Sequence, residues 1–447
     1  MRPICDYQII QRDADGFGRA LFSGTHPHTE AGVIVARVLR EDDNQMILPW
    51  QKCERNGDAW QIRLTIPQGG LYRVEARFSA NEEHPLHNFY DWSALVGCAS
   101  HVGVGDVFVM AGQSNMSGYG RDPAYDPPEL GVHLFDNRGQ WTLATHPLNS
   151  VVGSVYCNDD SSSGTSPGLA FGRMMHRRLG VPIGLVAAAR GGSALEAWNP
   201  AEADCFLYRA LEAKMEEVGK CSAILWYQGC SETGDAEEAN TYPDKFRQTV
   251  GLWRERFGDV PIVVCQINRH AWKGADNDRN WGIVREALRQ AGLQIPQVYV
   301  VPTLDMHTSD GIHNASGACV VIGERMASVL LHGHYGQAGS TAPTVTHAKQ
   351  LDARTVLLEF RDKHMLRTMD DLATGLHIED ENGLMRCTKI STGKDGAVTV
   401  TAERDIGQNA VFHAYWEREV PSFFIRDIYG MPMLACYGVP VEREADV

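Results

Sequence analysis

The run Val107-Phe108-Val109-Met110-Ala111, followed at once by Gly112-Gln113-Ser114-Asn115-Met116, decides how the rest of the chain is read. Five apolar residues bounded by Gly105-Asp106 and Gly112 spell an interior strand of a parallel sheet. In open α/β sheets the chemistry sits in the crevice beyond the carboxyl ends of such strands. A serine in the turn that leaves the strand shows its hydroxyl to a ligand, and its backbone N–H can face a developing oxyanion, as in a strand-turn-helix nucleophile elbow. The flanking Gly112 and Asn115 tolerate backbone angles that other residues resist. Taken alone, the pentapeptide fits a polar turn equally well.

About two hundred residues downstream, Asp310-Gly311-Ile312-His313 follows another apolar segment, Gln297-Val298-Tyr299-Val300-Val301. An Asp three residues before a His can fold back to hold the ring through its Nδ1–H, leaving Nε2 to take a serine proton. Serine needs such a base because its free hydroxyl is a weak nucleophile. A helical pattern from Ala318 to Leu331 comes next, so both side chains sit on the loop that enters it. Two further strand ends lie between. Val181 to Ala189 breaks at Arg190-Gly191-Gly192-Ser193, and Ala223-Ile224-Leu225-Trp226-Tyr227 breaks at Gln228-Gly229-Cys230-Ser231. The first offers a glycine N–H and the second a side-chain amide, so with the Ser114 N–H there are three donors for a tetrahedral oxyanion.

These blocks resemble the SGNH hydrolases, and within them the sialate O-acetylesterase-like carbohydrate esterases. The matching stretches are Gly112 to Met116, Gly191-Gly192-Ser193-Ala194-Leu195-Glu196-Ala197-Trp198, Trp226-Tyr227-Gln228-Gly229 and Asp310 to His313, with softer echoes at Ser166 to Phe171 and Trp281 to Ala287. The resemblance covers the middle half of the chain clearly and both ends loosely. It implies Ser114 as nucleophile, His313 as base and Asp310 as its orienter, with Ser114, Gly192 and Gln228 forming the oxyanion hole. Asn115, Glu196 and Trp198 are candidate substrate contacts. One departure stands out: the family commonly has Glu after Gln-Gly, and this chain has Cys230, with Glu232 two residues on.

Residues 1–103 read as β structure, with Val33 to Val38, Trp60 to Ile66 and Tyr72 to Phe78 as strands and clear alternation in the last two. From 104 to 335 strands alternate with helical segments: Leu169 to Leu179, Leu207 to Val218, Tyr242 to Phe257 and Ile283 to Ala291, with Ile262 to Ile267 a further strand. Such alternation means βαβ units. The expected fold is α/β with a parallel sheet covered on both faces, which the resemblance implies to be a flavodoxin-like three-layer hydrolase core, flanked by N- and C-terminal β-sandwich-like domains. The stretch from Tyr119 to Gly164, rich in Pro, Gly, Asp and Ser, reads as one wall of a substrate cleft. Residues 336–447 hold a linker and a second β domain, with strands at Thr355 to Phe360, Ala397 to Thr401 and Ala410 to Trp416.

The chain has 447 residues, 43% hydrophobic and 22% charged, with a net charge of −15. That balance belongs to a soluble globular protein and argues against nucleic acid or an anionic membrane as partner. Arg190, Arg269 and Lys273 are candidates for a local basic patch. No secretory signal is read in Met1 to Gly16, and no window approaches a membrane span. Eleven cysteines without paired spacing point to a reducing, cytoplasmic setting. His26-Pro27-His28 and His84-Pro85-Leu86-His87 read as loop histidines, because proline inside each pair spoils a shared ligand face. Trp226 reads as core, Trp198 as core or a sugar platform, and Cys230 as a small buried residue. No metal or cofactor is expected, and the sequence carries no statement of oligomeric state.

The leading expectation, from the sialate O-acetylesterase-like resemblance, is hydrolysis of O-acetyl esters on sugar hydroxyls through an acyl-enzyme on Ser114. The same chemistry on acetylated xylan or mannan fragments is the alternative. A lipid or thioester hydrolase fits the polar, Asp-rich loops poorly. A non-catalytic carbohydrate-binding protein leaves the four site blocks without a use.

Overall fold

Val107 to Ala111 are the inner end of one 19-residue strand, Ala94–Gly112, and none of the five is more than 2% exposed. The computed structural model describes all residues except 1–2, 28–31, 80–93, 157–163, 272–276, 362–365, 369–372, 394–396, 422–424 and 444–447. The long strand lies inside a sheet ordered Trp141–Leu143, Val132–Phe135, Ile183–Ala187, Ala94–Gly112, Ala223–Tyr227, Ile262–Cys265, Val298–Val301. Every pairing in that row is parallel except the outermost, Trp141–Leu143 with Val132–Phe135. From the central strand the chain places Val132–Phe135, Trp141–Leu143 and Ile183–Ala187 on one side before it crosses to Ala223–Tyr227 on the other. Ser114 thus emerges where the strand order reverses, the place where such sheets form a crevice.

The helices are Gly168–Leu179, Phe206–Val218, Ala236–Phe257, Asp278–Gln294 and Ser316–Gly333. The first packs against the last, and Ala236–Phe257 against Asp278–Gln294. Their inward faces complete a core with Phe108, Leu185, Leu225 and Val263, all 0% exposed. The helix expected from Tyr242 begins six residues earlier. Asp235 caps it by accepting from the Glu237 and Glu238 N–H groups at 2.8 and 3.1 Å, and Pro243 lies inside it. Proline reads as a helix boundary in sequence, so the first turns escaped notice.

The outer half of Ala94–Gly112 belongs to another neighbourhood. It pairs antiparallel with Gly69–Ser79, which pairs with Val33–Arg40, which pairs with Met46–Lys52. A separate sheet of Phe17–Thr25, Ala59–Pro67 and Glu54–Asn56 shares a core with these strands through Phe22, Trp60, Leu64, Val38, Val74 and Val102. Burial alternates strictly along Ala59–Pro67, as its apolar period requires. The strand runs unbroken across the expected boundary at 103, so the N-terminal strands and the parallel sheet share one backbone.

The C-terminal strands differ from a sandwich. Seven of them, Thr344–Gln350, Thr355–Arg361, Val398–Ala402, Gly383–Thr392, Leu376–Asp380, Val411–Ala414 and Cys436–Glu442, close into a barrel. The closing pair is Thr344–Gln350 with Cys436–Glu442. Closure satisfies edge N–H and C=O groups that open sheets leave exposed. Among the described residues, ten cysteines are free thiols and no helix is long and apolar enough to cross a membrane.

Candidate active site

Gly112 lets the turn at Ser114 form. It sits at φ +128°, and a Cβ there would lie 2.3 Å from Tyr227 O, so only glycine allows the two strand ends this close. Gln113 fastens the turn to the neighbouring strand end: its N–H donates to Tyr227 O at 2.9 Å, and its Oε1 accepts from the Gly229 and Cys230 N–H groups at 3.0 Å each. Ser114 then opens a one-turn helix, Ser114–Ser117.

Across the crevice, His313 Nε2 lies 2.9 Å from Ser114 Oγ, and His313 Nδ1 lies 2.6 Å from Asp310 Oδ2. Donation of Nδ1–H to the carboxylate leaves Nε2 as acceptor for the serine proton. Partial burial works against ionising Asp310. The hydrogen bond from the His313 ring and those from the His313 and Ile312 N–H groups outweigh it and hold the carboxyl below its ordinary range. Sequence missed one aromatic neighbour: the Tyr119 ring stacks on His313 with centroids 4.3 Å apart. Arg121 lies over the same ring at 5.6 Å.

Asn115 does not have the expected part of a substrate contact. It is 2% exposed, its Oδ1 accepts from Asn314 N–H at 2.8 Å, and its Nδ2 donates to Ile312 O at 3.2 Å. Its amide is spent in tying the nucleophile turn to the histidine loop.

The Gly191-Gly192 loop leaves Ile183–Ala187 in register with the central strand, since Ala188 N–H donates to Met110 O at 3.0 Å and Arg190 N–H to Gly112 O at 2.9 Å. Ser193 Oγ lies 3.4 Å from the same Gly112 O, so the residues on both sides of the Gly191-Gly192 pair meet the glycine that opens the Gln113-Ser114 turn. Gly192 is exposed with φ +65°. Neither its N–H nor that of Ser114 has an acceptor among the described residues, so both can serve an oxyanion.

The third expected donor, Gln228, is engaged elsewhere. It is fully buried, and its Nε2 donates to the Glu232 carboxylate at 2.6 and 2.8 Å and to Ser193 O at 3.2 Å; its Oε1 accepts from Tyr242 Oη at 3.1 Å. A buried amide satisfies its hydrogen bonds first, and a carboxylate four residues away outcompetes an open crevice. Glu232, unassigned by sequence, also accepts from Leu195 N–H at 2.5 Å. Burial raises its pKa above the ordinary range, although these donors pull the other way.

Trp198 is core and cannot stack on a sugar. It is 0% exposed, its Nε1–H donates to Ser193 Oγ at 3.0 Å, and its ring meets Trp226 edge-on at 5.5 Å. Trp226 is equally buried, as read. Burial pushes the Cys230 thiol up to about 12, which leaves it unreactive at neutral pH. Glu196 is exposed and lines a cavity of about 320 Å³ together with Arg190, Gly192, Asp204 and Phe206.

Of the three basic residues, Arg190 lies over the Phe206 ring. Arg269 turns inward to Leu304 O, and Lys273 lies outside the described residues, as do His28, His84 and His87. The His26 ring packs on Phe78. Among the described residues no three His, Cys, Asp or Glu converge to hold a metal ion.

Comparison with known proteins bears on the same region. The profile of a family described as "Carbohydrate esterase, sialic acid-specific acetylesterase" matches residues 104–332, just over half of the chain. A probable carbohydrate esterase of Arabidopsis thaliana is 29% identical over 250 residues, covering 50% of this chain and 90% of that protein. The crystal structure of a carbohydrate acetylesterase from Xanthomonas citri superposes with a TM-score of 0.70 at 20% identity, covering 97% of this chain and 98% of that one. At that identity the likeness speaks for the fold, and it extends over all three regions described above.

Proposed function

Because the chain belongs to the carbohydrate esterase family of sialic acid-specific acetylesterases, we propose that it removes acetyl groups from sugar hydroxyls through an acyl-enzyme on Ser114. One observation carries the reading: an unbroken relay from Asp310 through His313 to Ser114 Oγ, at 2.6 and 2.9 Å. It ends at Ser114, whose N–H, like that of Gly192, has no acceptor among the described residues.

His313 Nε2 takes the serine proton as Oγ attacks the acetyl carbonyl. The carbonyl oxygen gains charge and accepts from the Ser114 and Gly192 N–H groups. Collapse breaks the ester bond, and the His313 proton goes to the departing sugar oxygen, leaving acetyl on Ser114. Water then attacks that ester, giving its proton to His313, and acetate leaves as the serine regains its own. Asp310 keeps the ring in the tautomer both halves need and stabilises the imidazolium formed between them.

We assign this chemistry to residues 104–335, with 1–103 and 336–447 as flanking domains. Acetylated sialic acid is the first substrate to try, and acetylated xylan or mannan fragments are the second. Incubation with each ester, followed by mass spectrometry for acetate and for a serine-bound acetyl group, tests the proposal. Acetate release with acetyl trapped on Ser114 supports it. Sugar binding without acetate release from any ester would leave a non-catalytic carbohydrate-binding protein instead.

A further inference from the structure

We propose that the cavity beside Gly192 is a sugar subsite and that it takes a neutral pyranose in preference to an anionic one. The proposal rests on the esterase reading for its orientation: Gly192 and Arg190 both line the cavity, and Arg190 N–H donates to the O of Gly112, two residues before Ser114. A ring seated there holds its ester next to the serine. At about 320 Å³ the space is at the small end of ligand sites, roughly 300–1,000 Å³. It suits a sugar better than a long acyl chain.

The lining has the chemistry of sugar recognition. Phe206, the first residue of its helix, leaves 37% of its surface exposed in the cavity wall and gives an apolar face for the C–H side of a pyranose. The Arg190 guanidinium is held 4.8 Å over that ring, which places its N–H donors beside the apolar surface. Glu196 and Asp204 are both exposed, and neither has an ion-pair partner among the described residues. A carboxylate only accepts hydrogen bonds, so two of them ask for donors, and sugar hydroxyls are donors.

The same inventory sets the charge preference. Two carboxylates face one guanidinium, and that guanidinium is already over an aromatic ring. A ligand carboxylate entering this space meets net repulsion, whereas a neutral ring does not. Arg121 lies over Tyr119, whose ring stacks on His313, and does not line the cavity.

Saturation-transfer NMR on the full chain, with xylobiose as the neutral probe and N-acetylneuraminic acid as the anionic one, tests this. Xylobiose should bind, and N-acetylneuraminic acid should bind at least about tenfold more weakly. Phe206→Ala should weaken xylobiose about tenfold. The paired change Glu196→Gln with Asp204→Asn, which keeps size and removes charge, should narrow the gap between the probes, with circular dichroism reporting that each variant is folded. Equal or tighter binding of N-acetylneuraminic acid overturns the proposal, as does unchanged xylobiose binding in both variants. Hydrolysis of para-nitrophenyl acetate separates the two levels. A chain that cleaves it but does not bind xylobiose loses the subsite alone. One that binds xylobiose in this way but cleaves no acetate ester loses the esterase reading and keeps the subsite.

Discussion

At the residue scale, the proposed nucleophile is linked to its base and orienter by two hydrogen bonds, at 2.9 and 2.6 Å. Ser114→Ala removes the atom that would carry the acetyl group while leaving the turn's backbone bonds in place. It should keep the melting temperature and cut acetate release by about 10⁴ to 10⁶. A folded Ser114→Ala protein that still releases acetate at a normal rate removes Ser114 from the reaction. Asp310→Asn probes the next link. An amide can still meet the ring, but its NH₂ favours the other tautomer, so Nε2 carries the proton and cannot accept another. A loss in kcat of about 10⁴, at nearly unchanged KM, is the expected result in steady-state kinetics. Equal kcat in Asp310→Asn and the parent would mean that Asp310 holds the loop only.

At the scale of elements, the crevice is assembled by clamps between strand ends. Asn115 joins the serine turn to the histidine loop, Gln113 joins it to the end of Ala223–Tyr227, and Glu232 joins Gln228 to the segment 193–195. Glu232 thereby acts as a positioning residue, since the segment it grips follows directly on Gly192. Glu232→Ala strips the acceptor from two buried donors, Leu195 N–H and the Gln228 amide, and each unsatisfied group costs about 1–3 kcal/mol. A drop in melting temperature is expected, with a fall in kcat because Gly192 loses its fixed place. Gln228→Ala should resemble it in stability. Were Gln228 an oxyanion donor, its removal would instead lower kcat by about 10² to 10³ with the melting temperature intact, and calorimetry beside single-turnover kinetics separates the two.

Across the whole molecule, the barrel is locked to the parallel sheet by buried polar bonds. Arg285, 1% exposed on the helix Asp278–Gln294, donates to Ile267 O and Asn268 O on its own side and to Tyr415 O, Trp416 O and Glu417 O of the C-terminal region. Burial pushes the guanidinium down to about 9, so it remains charged at neutral pH. Gln266 adds a reciprocal pair with Ala435, both bonds at 2.9 Å. Arg285→Met leaves several carbonyls without donors and should cost about 3–5 kcal/mol in denaturant unfolding. A cost below about 1 kcal/mol would show that water replaces the guanidinium there.

Two buried histidines predict how stability responds to acid. Burial pushes His133, whose Nδ1 lies 2.7 Å from Tyr7 O, and His413 in the barrel down to about 4. Both are neutral in the fold, while the unfolded chain protonates them near 6.5. Their contribution is complete above about pH 6.5 and is lost as pH falls toward 4, at up to roughly 1.4 kcal/mol per pH unit for each. A melting temperature that stays flat from pH 7 to 5 contradicts this.

What the sequence determined by itself was local and periodic. The apolar run at Val107 to Ala111, the glycine after it, the strand-helix alternation to Leu331 and the Asp-x-x-His spacing each follow from neighbours in the chain, and the relay at Ser114 formed where those signals placed it. The tertiary structure decided what depends on contacts across the fold. Gln228 looked like a free amide because nothing in its own strand announced that Glu232, one turn later, would fold back to take its protons. Trp198 and Asn115 looked available because burial on a loop is set by what packs over it. Phe206 gave no sign of lining a cavity, since it falls just before the helical segment read from Leu207 and precedes its apolar stripe. The barrel was equally hidden, because closure is set by the pairing of Thr344–Gln350 with Cys436–Glu442, and a strand's own sequence does not specify a partner some ninety residues away.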